Sequence, residues 1–229
     1  MTRLPVPALA LGLLLALTGC SGSDAEPPAD DSTSPTTASA TPYLPVPEGV
    51  ALTAPGSQLA VGDRAVVAYE PRQEQVGTLD IDVTSLETTS IKDFSAWQLS
   101  EAQQRSTPYY VRATIENRGD SDLGGRPVPL YVVNEDDVLL EATPFASSFK
   151  PCPSTPFPDP FRPGDSADVC LVYLAPGKGD LVAVSFRPEE TFNPITWTGA
   201  VRKYQEPEPE KKQGKKRTGK KGNRGSQGS

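Results

Sequence analysis

Histidine is absent from all 229 residues. Its absence excludes Ser-His-Asp and Cys-His catalysis and every histidine-ligated metal site. Cysteine appears three times and never as C-x-x-C, which argues against dithiol redox work. Aromatic residues make up 7% of the chain, so a core must draw on Val, Leu, Ile and Ala. G-x-S-x-G, Walker A and dinucleotide glycine motifs are missing, and so is an EF-type calcium loop. The acid pairs Asp80/Asp82, Asp120/Asp122 and Asp136/Asp137 sit on a strand face or in turns, with no neighbours that would desolvate a carboxyl. They read as solvated acids. No catalytic residue, metal or cofactor is therefore expected. No repeat of fixed period is visible.

What the sequence has is a series of short alternating segments. The clearest is Phe161–Pro176. Pro163-Gly164-Asp165 supplies a turn, because proline presets φ and glycine tolerates positive φ. Ala167, Val169, Leu171 and Tyr173 then recur at period 2, the mark of a strand with one face in a core. Pro176 ends it, having no N–H to give a ladder. Pro108–Asn117 repeats the pattern, with Tyr109, Val111, Ala113 and Ile115 on one side and Tyr110, Arg112, Thr114 and Glu116 on the other. Asn117-Arg118-Gly119-Asp120 closes that strand with a turn. Thr78–Leu86 alternates as well. Leu59–Asp63 and Ala65–Tyr69 suggest two further strands. Val128–Val133 and Val138–Leu140 suggest a hairpin across residues 134–137. Leu181–Phe186 and Pro194–Thr198 complete the set, the latter read as the last strand. Ile91–Gln103 reads as a loop with a possible helical turn that sets Phe94 and Trp97 on one side. Residues 142–162 read as a long irregular crossing, with five prolines between Pro151 and Pro160. Eight or nine short strands without a long helix define an all-β sandwich.

The N-terminus has a different character. Arg3 precedes an apolar run from Leu4 to Leu17, shorter than the roughly 20 residues that span a bilayer. The run ends Leu17-Thr18-Gly19-Cys20, which resembles the lipobox of bacterial lipoproteins. The resemblance implies that residues 1–19 are a signal peptide and that Cys20 carries the lipid and becomes the first residue. Ser21–Thr41 contains no Leu, Ile, Val or aromatic residue, so it is expected to be a disordered tether over 20–42. A chain outside the cytoplasm with two cysteines left over implies a Cys152–Cys170 disulfide, joining the proline-rich crossing to the strand within Phe161–Pro176.

The ordered part, expected over 43–205, is about 160 residues, the size of one domain. The segments YYVRATIENRGD and FRPGDSADVCLVYLAPG, followed by a further apolar strand, resemble the immunoglobulin-like domain of many secreted bacterial lipoproteins. This telokin-like group includes a small mycobacterial secreted antigen. The resemblance covers roughly Gly56 to Trp197 and implies an immunoglobulin-like antiparallel β-sandwich. It implies nothing about a ligand.

Two features are candidates for contact. Phe149, Phe157 and Phe161 fall in or beside the proline-rich crossing. Rings among prolines make a stiff surface that loses little entropy on binding; alternatively they fill the edge of the sandwich. The second feature is residues 206–229, expected to be disordered. From residue 211 on, this tail holds Lys211, Lys212, Lys215, Lys216, Arg217, Lys220, Lys221 and Arg224 and no acid. The formal net charge of the whole chain is −7, so the remainder carries 14 bases against 29 acids. An acidic body argues against nucleic acid as a partner, and a tail without aromatics argues against single strands. Anionic lipid or an anionic wall polymer fits the tail, and a purely solubilising role fits it equally. Three functions follow as expectations. The first is a lipid-anchored, non-catalytic binding or adaptor module at the outer face of the cell membrane, with a protein partner. The second is an envelope structural protein linking membrane to wall polymer through the tail. The third is an enzyme of unrecognised kind.

Overall fold

Alternation of apolar and polar residues produces ten strands in the computed structural model, which describes residues 42–145, 147 and 149–206. In chain order they are β1 (Gln58–Ala60), β2 (Arg64–Arg72), β3 (Gln75–Thr88), β4 (Thr107–Asn117), β5 (Tyr131–Asn134), β6 (Leu139–Leu140), β7 (Ser166–Ala175), β8 (Leu181–Phe186), β9 (Ile195–Thr198) and β10 (Val201–Lys203). The signal peptide, Cys20, the tether as far as residue 41 and the basic tail lie outside the described residues.

The strands form two sheets. The first has the order β1-β9-β8-β5-β6, and the second β10-β3-β4-β7 with β2 also on β3. The all-β sandwich expected from the sequence is the fold observed. The ladders that build it are antiparallel, and two short pairings at the margins, β1 with β9 and β10 with β3, run parallel. Strand β3 is long enough to serve two neighbours along one edge. Residues 75–82 take β2, and residues 86–88 take β10. Strand β10 is an addition to the expected set. It is three residues long and largely exposed, so it leaves no periodic trace in the sequence.

Between the sheets lies a core formed by the predicted faces. Ile81, Val111, Ile115 and Tyr173 come from the second sheet, and Val132, Val184, Phe186 and Trp197 from the first. Two polar groups of the core find partners. The Tyr173 hydroxyl donates to the Leu130 carbonyl at 2.7 Å, and the Trp197 indole N–H to the Asp63 carbonyl at 2.9 Å. Gly77 is required by packing: a Cβ there would come within 2.7 Å of the Tyr69 ring and 3.1 Å of Leu123.

The two turn motifs read from the sequence meet each other. Asn117 is fully buried, and its side-chain amide donates to the carbonyls of Ser121 and Phe161 at 2.8 and 3.0 Å. Its backbone N–H bonds the Asp165 carbonyl, and its carbonyl accepts from Gly164, which holds φ near +83°. The Asn-Arg-Gly-Asp turn and the Pro-Gly-Asp turn are thus tied together through buried Asn117, at the end of β4 and the start of β7.

Candidate binding face on the second sheet

Strands β4 and β7 are covered on both faces. Tyr109, Val111, Leu171 and Tyr173 enter the sandwich core, while Tyr110, Cys170, Val172 and Leu174 point the other way into a second apolar cluster. Two irregular segments roof this outer cluster. One contains the 3-10 turn Ile91–Phe94 and the helical turn Glu101–Gln104, which we label α1. Both begin with a capping box, Ser90 with Asp93 and Ser100 with Gln103. The other is the proline-rich crossing, residues 142–162, which acts as a strap. Phe94 stacks against Phe145 at 5.5 Å and lies 4.7 Å from Phe149; Trp97 lies 5.2 Å from Phe149. Tyr110 meets Tyr204 edge-on at 5.2 Å.

Three devices fix the strap to the sheet. The first is the expected disulfide: Cys152 and Cys170 are bonded at 2.00 Å with both residues buried. The second is Ser154, whose hydroxyl accepts from the Val172 N–H at 3.1 Å and donates to the Thr143 carbonyl at 2.8 Å. The N–H groups of Thr143 and Ser154 in turn donate to the carbonyls of Val172 and Cys170. Around Cys170 and Val172 the outer edge of β7 is thereby closed to a further strand. The third is Arg112, on the outer face of β4. Its Nε donates to Glu87 at 2.9 Å, one terminal nitrogen donates to the Pro151 carbonyl at 3.0 Å, and the guanidinium stands 6.0 Å from the Tyr204 ring centre.

The expectation of a contact surface at the phenylalanines is corrected here. Phe149, Phe157 and Phe161 are 4%, 3% and 1% exposed. Phe157 and Phe161 stack at 4.7 Å within the sandwich core, and Phe149 belongs to the outer cluster. Rings in a chain of this composition are the most effective apolar area available, so folding takes them inward.

What the strap leaves open to solvent is mixed, with polar side chains set among prolines. A groove of about 380 Å³ runs beside it, lined by Thr84, Arg112, Thr114, Asp168 and the prolines 153, 156 and 158. Thr84 is the extra residue of a bulge in β3, and its hydroxyl donates to the Arg112 carbonyl. Thr114 donates to Asp168 across the β4–β7 ladder at 2.7 Å, a cross-strand pair that supports the register. Beyond Arg112 a wider hollow of about 740 Å³ is bounded by Glu87, Lys150, Tyr204 and Glu206. On the other side of the strap, a groove of about 400 Å³ is lined by Pro127, Tyr131, Pro144 and Pro156.

The acid pairs are not gathered. Asp80 is bridged to Arg64 at 3.2 Å. Asp122 accepts from the N–H groups of Gly124 and Phe161, both at 2.9 Å, and these bonds hold its carboxyl below the ordinary range. Burial drives the Tyr110 phenol up to about 12 and the Tyr69 and Tyr173 phenols higher still. Among the described residues no three Cys, Asp or Glu side chains are grouped to hold a metal, and no helix is long and apolar enough to cross a membrane. Ser154 and Tyr204 went unnoticed in the sequence, and Arg112 was read only as an outward residue of its strand. Arg112 carried a signal, as the one base between Tyr110 and Thr114 on the outward face of β4.

No family model matches the chain, and no curated protein is similar to it. Among solved structures it is similar to a "putative lipoprotein" of Staphylococcus aureus subsp. aureus NCTC 8325. The two share 11% identity over 62% of this chain and 98% of that one, with a TM-score of 0.39. A likeness at that level carries no functional argument, and the sandwich is established by its own ladders.

Proposed function

We propose that the protein is a lipid-anchored, extracytoplasmic binding module without catalytic activity. Cys20 holds it to the membrane, and the strapped sandwich meets a protein partner at the cell envelope. The observation that carries this reading is the buried Cys152–Cys170 bridge. Disulfides form and persist in oxidising compartments, which agrees with the Leu-Thr-Gly-Cys motif at the end of the apolar leader. A strap fixed by a covalent bond, a buried serine and an arginine gives a rigid support for recognition, because little freedom remains to be lost on binding. The groove beside it holds no cofactor-binding motif and no nucleophile with a neighbouring imidazole. The basic tail gives a second contact with anionic lipid or wall polymer in this reading, and nucleic acid is not a partner.

Intact-mass analysis of membrane-extracted protein tests the anchor. The expected mature chain begins at Cys20 and carries lipid, and Cys20→Ala releases the protein or leaves its leader uncut. A mature chain that starts elsewhere and bears no lipid overturns the reading.

A further inference from the structure

The β7 edge is closed by the strap, but the edge of the other sheet is not. Strand β6 is outermost there, paired only with β5. The Asn134 N–H donates to the Val138 carbonyl at 3.2 Å, which makes residues 134 and 138 a hydrogen-bonded pair. Hydrogen-bonded and non-bonded pairs alternate in an antiparallel ladder. Val133 and Leu139 are therefore a non-bonded pair, and the N–H and carbonyl of Leu139 face away from β5. Among the described residues nothing bonds to either.

The same corner carries the apolar side chains that stand furthest into water. Val138, Leu139 and Val182 are 45%, 37% and 52% exposed. Val133 pairs with Leu139 on one side and Ala183 on the other, and Val182 is the bulged residue beside Ala183. Carboxylates flank these strands along the chain: Glu135, Asp136 and Asp137 in the β5–β6 turn, Glu141 after β6, and Asp180 before β8. Asp180 approaches the Tyr109 hydroxyl at 3.5 Å. Lys178 is the nearby base in the chain before β8.

An unpaired strand edge, exposed apolar side chains and flanking acids each constrain what can sit there. We propose that β6 accepts an added strand from a protein partner, an extended segment that alternates apolar and basic side chains. The Leu139 backbone supplies the ladder bonds, the valines and Leu139 take the apolar side chains, and the carboxylates select the bases. The proposal rests on the reading of the domain as a binding module. A second copy of this chain is disfavoured because it brings acids against acids. The chain's own basic tail has charge but no apolar residue between Lys211 and Arg224.

The test uses the full-length chain and fluorescent synthetic peptides of alternating Lys and Val, alternating Glu and Val, and Lys alone. Anisotropy is expected to show the Lys-Val peptide binding at least about tenfold more tightly than either other peptide, a difference of about 1.4 kcal/mol. Leu139→Pro removes the outward N–H without breaking a β5–β6 bond and is expected to weaken binding about tenfold or more. Leu139→Lys, which repels the basic peptide and leaves the backbone intact, serves the same purpose if the proline variant does not fold. Equal binding of the Lys-Val and Lys peptides overturns the proposal, since charge alone then suffices. It is also overturned if both Leu139 variants bind like the original chain, or if sedimentation shows a dimer that Leu139→Lys dissolves. The anchoring assay at Cys20 reads a different property, so a failure here is separable from a failure of the anchor.

Discussion

Removing the Cys152–Cys170 bridge measures how far the strap depends on its covalent tie. The bridge closes a loop with a sequence separation of 18. Constraining a loop of that size in the unfolded chain is worth about 3 kcal/mol. Replacing both residues by alanine also empties buried space against Val172 and Phe149, which adds about 1 kcal/mol. The other two fixings remain: the Arg112 bond to the Pro151 carbonyl, and Ser154 with its three bonds to the β7 edge and Thr143. The double variant Cys152→Ala/Cys170→Ala is therefore expected to fold with its sheets intact but to melt roughly 10 °C lower, at about 2–4 °C per kcal/mol for a body of this length. Circular dichroism melts of the two chains, with non-reducing peptide mapping of the original, supply the measurement. A drop of less than about 3 °C with the bridge confirmed by mapping refutes the entropic argument. It would mean that the hydrogen bonds and rings already confine the strap in the unfolded ensemble.

Two further outcomes follow from the same geometry. Phe149→Ala is expected to destabilise the fold by about 3 kcal/mol, because the ring packs on Phe94, Trp97 and Tyr110; a denaturant titration with an unchanged midpoint would place the ring in solvent instead. Asp122, whose folded-state pKa is lowered by the N–H groups of Gly124 and Phe161, contributes stability above its unfolded value near 3.8 and loses it as pH falls through the lower folded value. Acid titrations of the original chain and Asp122→Ala are expected to differ at neutral pH and to converge at the acid end, and a difference that persists below the transition contradicts this account.

The sequence was most legible where one face of a strand was apolar and the other polar. Tyr109, Val111, Ala113 and Ile115, with their counterparts Ala167, Val169, Leu171 and Tyr173, face inward as their period requires. The outward residues of the same strands were harder to place. Tyr110, Val172 and Leu174 are buried by segments with no period of their own: a 3-10 turn, a four-residue helix and a proline-rich strap. Whether an outward residue is wet depends on what crosses it, and a crossing of this kind is set by tertiary contacts such as Ser154 to Val172 and Arg112 to Pro151. For that reason the three phenylalanines follow the second of their two readings and fill the fold instead of forming a contact surface. Proximity to proline made them look like a rigid surface, while the strap turns their rings inward.

The converse holds at β6. Val138, Leu139 and Leu140 read as the second strand of a hairpin, and apolar residues in a strand imply burial. Burial also needs a neighbour, and β6 is the end of its sheet. Three facts set the exposure of Val138 and Leu139: the chain turns after Leu140, it crosses to the other sheet at Thr143, and it closes the β7 edge there rather than its own. One short crossing therefore decides which of two adjacent edges is covered. The covered edge is held by a serine, an arginine and a disulfide. The open edge has only its two-residue length and its acids to keep other strands away. Acids repel a like-charged copy and attract a basic segment, so this edge discriminates between partners by charge before any apolar contact forms.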